Sequence, residues 1–136
     1  PDGESLWVAS NEDSVAYRLD PVTLETRAEV ATGEVPIRLA MHPSGRWVVS
    51  SNFGSGDLSV IDTARNAVAR TIPVSGSQEA VQVTLVFNED GTRLYAAETG
   101  ADTVAEIDFA SGRVLRRIAT GEGGDGLAIV QGDRAQ

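Results

Sequence analysis

Apolar and polar positions alternate along short stretches of this chain. In "LSVID" (58–62) and "TVAEID" (103–108) every second residue is apolar, the pattern of a strand with one face buried. Other apolar stretches are rich in Val, Ile, Leu and aromatic residues and are bounded by Gly, Asp, Asn and Ser, so they read as strands joined by turns. In the middle of the chain the expected strands are Arg46–Ser51, Leu58–Asp62, Val68–Pro73 and Ala80–Phe87. No segment has the spacing of an amphipathic helix, and the fold class is all-β.

The turns recur. Gly3, Gly45 and Gly91 lie 42 and 46 residues apart, and Asp20, Asp62 and Asp108 keep the same spacing. Gly33, Gly76 and Gly121 follow at 43 and 45. Landmarks that keep step define three repeat units, about 1–42, 43–88 and 89–136, within one domain. Each unit has room for four antiparallel strands. The glycine of each turn supplies a positive φ, and each Asp at a strand end is expected to accept backbone N–H bonds from its own turn. Trp7, Trp47 and Tyr95 fall on corresponding strands and are expected to pack between neighbouring sheets.

Four-stranded units repeating every forty-odd residues describe β-propeller blades. The chain resembles the YVTN-type propeller repeat family. "LWVASN", "WVVSSN" and "LYAAET" correspond to its Tyr-Val-Thr-Asn strand, "LSVID" and "TVAEID" to its Val-Ile-Asp strand, and "HPSG" and "NEDG" to its Pro-Asp-Gly turn. Neither a Gly-His pair nor a Trp-Asp dipeptide of the WD type is present. Three blades fall short of a ring, so the chain is expected to be part of a larger one. It begins just before a second strand and ends in "LAIVQGDRAQ", an innermost-type strand. That phase suits two alternatives: a fragment of a longer chain with further blades, or a head-to-tail homodimer forming a six-bladed ring. Pro1 in place of Met is expected where an upstream segment, a leader included, has been removed.

With 136 residues, 41% apolar and 23% charged, the chain suffices for one packed domain. It has no apolar run long enough for a membrane span. Zero cysteines exclude disulfides and thiolate chemistry. Twenty acids against eleven bases, all of them arginine, give a net charge of −9, which disfavours binding to nucleic acid.

The family resemblance implies that two loop types emerge on one face around the channel. The first type brings Glu34, Arg38, Glu79, Glu122 and Asp125; the second brings Glu12, Asp13, Asp57, Glu98 and Asp102. From these, Glu34, Arg38, Glu79, Glu98, Glu122 and Asp125 are the candidate ligand-binding residues. Such a carboxylate field attracts cationic partners, and a noncatalytic scaffold binding a protein or small molecule at this acidic face is the leading expectation. The alternative is a lactonase-like hydrolase with a divalent-cation site at the channel mouth, where Glu34, Glu98 and Asp125 mark positions. "GEGGDG" (121–126) lacks the lysine and the following helix of a phosphate-binding loop. His42, the sole histidine, reads as a turn residue on the opposite face and not as a haem ligand, and no cofactor or resident metal is expected. A periplasmic or extracellular location follows from the resemblance.

Overall fold

The computed structural model describes residues 1–130. Eleven strands form three antiparallel sheets. The first sheet holds β1 (Leu6–Ser10), β2 (Val15–Leu19) and β3 (Thr26–Ala31) in that order. The second holds β4 (Pro36–Met41), β5 (Trp47–Asn52), β6 (Asp57–Asp62) and β7 (Ala67–Pro73). The third holds β8 (Gln82–Phe87), β9 (Arg93–Glu98), β10 (Thr103–Asp108) and β11 (Arg113–Ala119). Short 3-10 turns at Gln78–Ala80 and Thr99–Ala101 are the sole helical elements among the described residues.

The first two repeats carry four strands each and the third carries three among the described residues, and the fourth strand of a repeat pairs forward. β4 follows β3 in sequence and bonds to β5, and β8 follows β7 and bonds to β9. The first sheet therefore has three strands among the described residues, with no strand beside the inner edge of β1. Residues 127–130, the expected next innermost strand, are not part of any sheet. Leu127, Ala128 and Ile129 line a cleft with Val86, Tyr95 and Val104 on the outer face of the third sheet.

The alternating positions bury what the pattern predicts. Between the second and third sheets, Val49, Leu58, Val60 and Ile72 meet Leu85, Leu94, Ile107 and Phe109. Between the first and second, Ala16 and Val30 meet Val48 and Ile61, with Trp7 and Leu39 packed against them. A register irregularity falls at the same point of all three sheets, after Arg18, Val60 and Glu106. Bulges at matched positions add the same local twist to each sheet.

Asp20, Asp62 and Asp108 are turn residues. Asp20 accepts the N–H groups of Val22 and Thr23, both at 2.9 Å, and Asp62 accepts those of Ala64 and Arg65 at 2.9 and 3.2 Å. Asp108 accepts Ser111 N–H at 2.9 Å. These backbone bonds, with Arg27 beside Asp20 and Arg93 beside Asp108, hold both carboxyls below the usual carboxylate range.

The turn glycine matters most at Gly91. Its φ is 74°, and a Cβ there would stand 2.1 Å from His42 Nε2. The His42 imidazole bridges two successive turns. Nδ1 accepts the Ser44 N–H at 3.1 Å, so Nε2 carries the proton and donates to the Gly91 carbonyl at 3.2 Å. Phe87 and Phe109 complete its surroundings, each with ring centroid 5.0 Å from the imidazole.

Candidate ligand face

The loops after β3 and β7 and residues 120–126 gather at one end of the sheets, beside the loops that follow β1, β5 and β9. Gly54 N–H donates to the Glu34 carbonyl at 2.9 Å and Phe53 N–H to the Val35 carbonyl at 2.9 Å. Thr99 N–H donates to the Val81 carbonyl at 3.1 Å, and Gly123 N–H to Asp102 Oδ1 at 2.8 Å. Val35, Val81 and Gly123 all adopt left-handed backbone, with φ of 53°, 49° and 66°. A β-branched residue enters that region at a cost, so the contacts of the Val35 and Val81 carbonyls are what hold these corners.

The predicted residues divide in three. Glu34, Glu79 and Glu122 are exposed, and no side-chain hydrogen bond or ion pair engages their carboxylates among the described residues. Arg38 is exposed on β4 next to a register irregularity; its Nη1 donates to the Ile37 carbonyl, and no carboxylate lies within ion-pair reach among the described residues. Asp125 is tied down by the Thr84 hydroxyl. Glu98 differs from the rest. Its side chain is 1% exposed and forms a two-pronged pair with Arg117, Nε to Oε2 at 2.8 Å and Nη2 to Oε1 at 3.1 Å, while Thr103 Oγ1 donates at 2.8 Å. Every one of these bonds is internal, and Arg117 Nη2 also reaches back to the Val74 carbonyl, just after β7, at 3.0 Å.

The second loop type is also partly consumed. Asp57 Oδ1 accepts from Asn52 Nδ2 at 2.7 Å and from Ser55 Oγ at 2.8 Å. Asn52 further binds Ser59 Oγ at 3.0 Å and accepts from Ser50 Oγ at 2.9 Å, and Ser59 Oγ receives the Gly33 N–H at 3.0 Å. This buried network ties the loop between the first two sheets to the second sheet. Gln82, also buried, donates to the Asp57 carbonyl at 3.0 Å. Sequence reasoning did not single out Asn52, Ser59 or Gln82; for Asn52 the signal was the polar run "SSN" ending an otherwise apolar strand, while Ser59 and Gln82 carry none. Among the described residues no three Asp, Glu or His side chains converge as a metal site. The face is a spread of separated carboxylates.

Sheets stacked face to face, inner strands β4 and β8 in contact and outer strands β3 and β7 likewise, define consecutive blades of a β-propeller. No protein-family profile matches the chain. Over 126 residues it is 27% identical to the dihydro-heme d1 dehydrogenase of Pseudomonas aeruginosa, a match covering 90% of this chain and 25% of that protein. Hydrazine synthase of Kuenenia stuttgartiensis superposes with a TM-score of 0.82 at 25% identity, over 91% of this chain and 35% of that one. The structure of dihydro-heme d1 dehydrogenase NirN in complex with DHE gives 0.70 at 16% identity, over 85% and 24%. A functionally unknown protein of Desulfotomaculum acetoxidans gives 0.75 at 16%, over 89% and 40%. The chain thus spans about a quarter of the curated relative, the extent of a partial propeller.

Proposed function

We propose that the chain supplies YVTN-type blades to a noncatalytic propeller scaffold whose acidic loop face binds a cationic protein surface or small ligand. The observation that carries this reading is the contrast between the two ends of the sheets. At one end Asp20, Asp62 and Asp108 are spent on their own turns and His42 is locked between Ser44 and Gly91. At the other, Glu34, Glu79 and Glu122 stand exposed on three successive loops. Carboxylates spaced this way steer a basic partner without fixing one small ion.

The test is calorimetric titration with a short arginine-rich peptide at rising salt. Affinity falls as salt rises, and it falls again in the triple variant Glu34→Gln, Glu79→Gln, Glu122→Gln. Binding that ignores both salt and the triple substitution refutes the reading. The lactonase-like alternative needs converging carboxylates, which the face does not supply; saturable calcium binding abolished by Asp125→Asn would revive it.

The name of the dihydro-heme d1 dehydrogenase connects that protein with a haem. His42 has both ring nitrogens engaged, so the described residues offer no free imidazole to an iron. A periplasmic or extracellular location fits the repeat type. Export would be read by fractionating cells that express the full-length gene product.

A further inference from the structure

Gly54 and Gly100 hold the same place in successive loops, second after β5 and second after β9, and lie 46 residues apart as Gly45 and Gly91 do. Glu12, 42 residues before Gly54, holds that place in the loop after β1. The left-handed residue of each loop comes two positions later, at Ser14, Gly56 and Asp102, with φ of 56°, 66° and 53°. Neither Gly54 nor Gly100 has a positive φ. The backbone of the loop therefore accepts a side chain at this place, as Glu12 shows, and the two glycines answer to a neighbour instead.

That neighbour is the loop arriving from the outer strand of the preceding sheet. A Cβ on Gly54 would stand 2.8 Å from Glu34 Cβ and 3.1 Å from both the Glu34 carbonyl oxygen and Val35 Cγ2. One on Gly100 would run into the Glu79 carbonyl oxygen and stand 2.8 Å from Val81 Cγ2. Carbon atoms in contact sit about 3.5–4.0 Å apart, and a backbone carbonyl cannot swing aside as the tip of a long side chain does. The first corner is also pinned on several sides. Gly54 N–H donates to the Glu34 carbonyl and Phe53 N–H to the Val35 carbonyl, both at 2.9 Å, and Glu34 N–H donates to Ser55 Oγ at 3.2 Å. At the second corner Thr99 N–H donates to the Val81 carbonyl at 3.1 Å. A methyl group on either glycine has to lift its corner, and the glutamate moves with it.

The carboxylates have no restraint of their own. Glu34 and Glu79 are exposed, without a side-chain hydrogen bond or ion pair among the described residues, so their place follows from the backbone beneath them. Resting on the acidic loop face as the binding face, we propose that Gly54 and Gly100 are positioning residues for it, each setting where the preceding blade presents its carboxylate. The acid comes from one blade and its seat from the next. A cationic partner then reads Glu34 and Glu79 at a separation fixed by the stacking of the sheets. One exposed carboxylate binds weakly, so selection among cationic partners lies in that separation.

Double-mutant cycles with the arginine-rich peptide test this. Gly54→Ala lowers the affinity about two- to fivefold, the effect of one exposed ion pair. It adds nothing once Glu34→Gln is present and acts in full beside Glu79→Gln, while Gly100→Ala shows the reverse dependence. A general loosening of the fold would not tell the two glutamates apart. Ser55→Ala removes the hydroxyl that accepts the Glu34 N–H, adds no atom and gives the Gly54→Ala pattern at smaller amplitude; it takes over the test if circular dichroism finds Gly54→Ala unfolded. A Gly54→Ala effect of equal size in both glutamine backgrounds overturns the proposal and leaves the acidic face standing. So does an absent effect where Glu34→Gln alone weakens binding. A second readout needs no ligand: Gly54→Ala shifts the side-chain carboxyl carbon resonance of Glu34 and leaves that of Glu79 in place. Should the peptide fail to bind at all, the acidic-face reading falls by itself and this resonance decides the positioning role, a shift supporting it and an unmoved line overturning it.

Discussion

Between the second and third sheets, Leu58, Val60 and Ile72 meet Leu94, Ile107 and Phe109 in a dry cluster, with Phe87 and His42 at one end. Between the first and second sheets the apolar cluster is smaller, and its polar end is built from Ser and Asn side chains where the other junction has the Glu98–Arg117 pair. Ser50 and Ser59 stand there where the third sheet has Ala96 and Ala105, and Asn52 joins them through hydrogen bonds. Apolar burial contributes roughly 25 cal/mol per Å², while a satisfied buried hydrogen bond contributes about 1 kcal/mol net. One repeat geometry therefore serves two purposes. The second and third sheets form the cohesive part of the segment, and the first is held by fewer apolar contacts and by a network that specifies position more than it adds stability.

The largest expected effect tests this directly. Ile107→Ala opens a cavity in the dry cluster and costs about 2–5 kcal/mol, read as a lower urea midpoint for the whole segment. Ile61→Ala removes the same side chain from the junction with the first sheet. Its signature is local: amides of the first sheet exchange hydrogen early, while those of the third keep their protection. Equal loss of protection in both sheets would break the comparison.

A smaller effect separates the two kinds of turn. Gly91→Ala forces a side chain into left-handed backbone and against His42, costing about 1–3 kcal/mol. Gly3→Ala meets the same backbone demand, with φ of 75°, but open space, so it costs about 1 kcal/mol. Thermal melts of the two variants measure the difference; a larger loss for Gly3→Ala would mean that the contact with His42 contributes nothing.

The smallest effect is on acid stability. Asp20 and Asp108 have folded-state pKa values below their unfolded ones, chiefly because backbone N–H groups donate to the charged carboxylates. Their contribution is complete above the unfolded value of about 4 and is lost as pH falls from there toward the folded values. Urea midpoints collected from neutral pH down to acid should therefore decline, and Asp108→Asn should flatten that decline. An unchanged slope would show that Asp108 titrates alike in both states.

The strands and turns were legible because each is encoded locally. Alternation in "LSVID" and "TVAEID" marks β6 and β10, and the glycines mark the turns. The start of β8 was placed at Ala80, two residues early, because the 3-10 turn of Gln78–Ala80 and the left-handed Val81 intervene without a sequence cue of their own. The acidic face was less legible. The gathering of its loops came from resemblance to a repeat family, and the pairing of Glu98 with Arg117 joins residues 19 positions apart on non-adjacent strands. Net charge and spacing say nothing about which carboxylates are spent internally. Asn52 and Ser59 escaped for the same reason: a polar side chain ending a strand reads as a solvent-facing residue until its neighbours are known.

Because β4 and β8 each leave one sheet's sequence to complete another, the heritable unit and the folded unit are offset by one strand. Duplicating or deleting a stretch of one period at the His42 or Asn88 turn would leave every remaining sheet with its full complement, since each copied stretch lends a strand onward and borrows one in return. Arrays built this way can change in number through ordinary gene duplication, with each insertion sewn in at both borders from its first appearance.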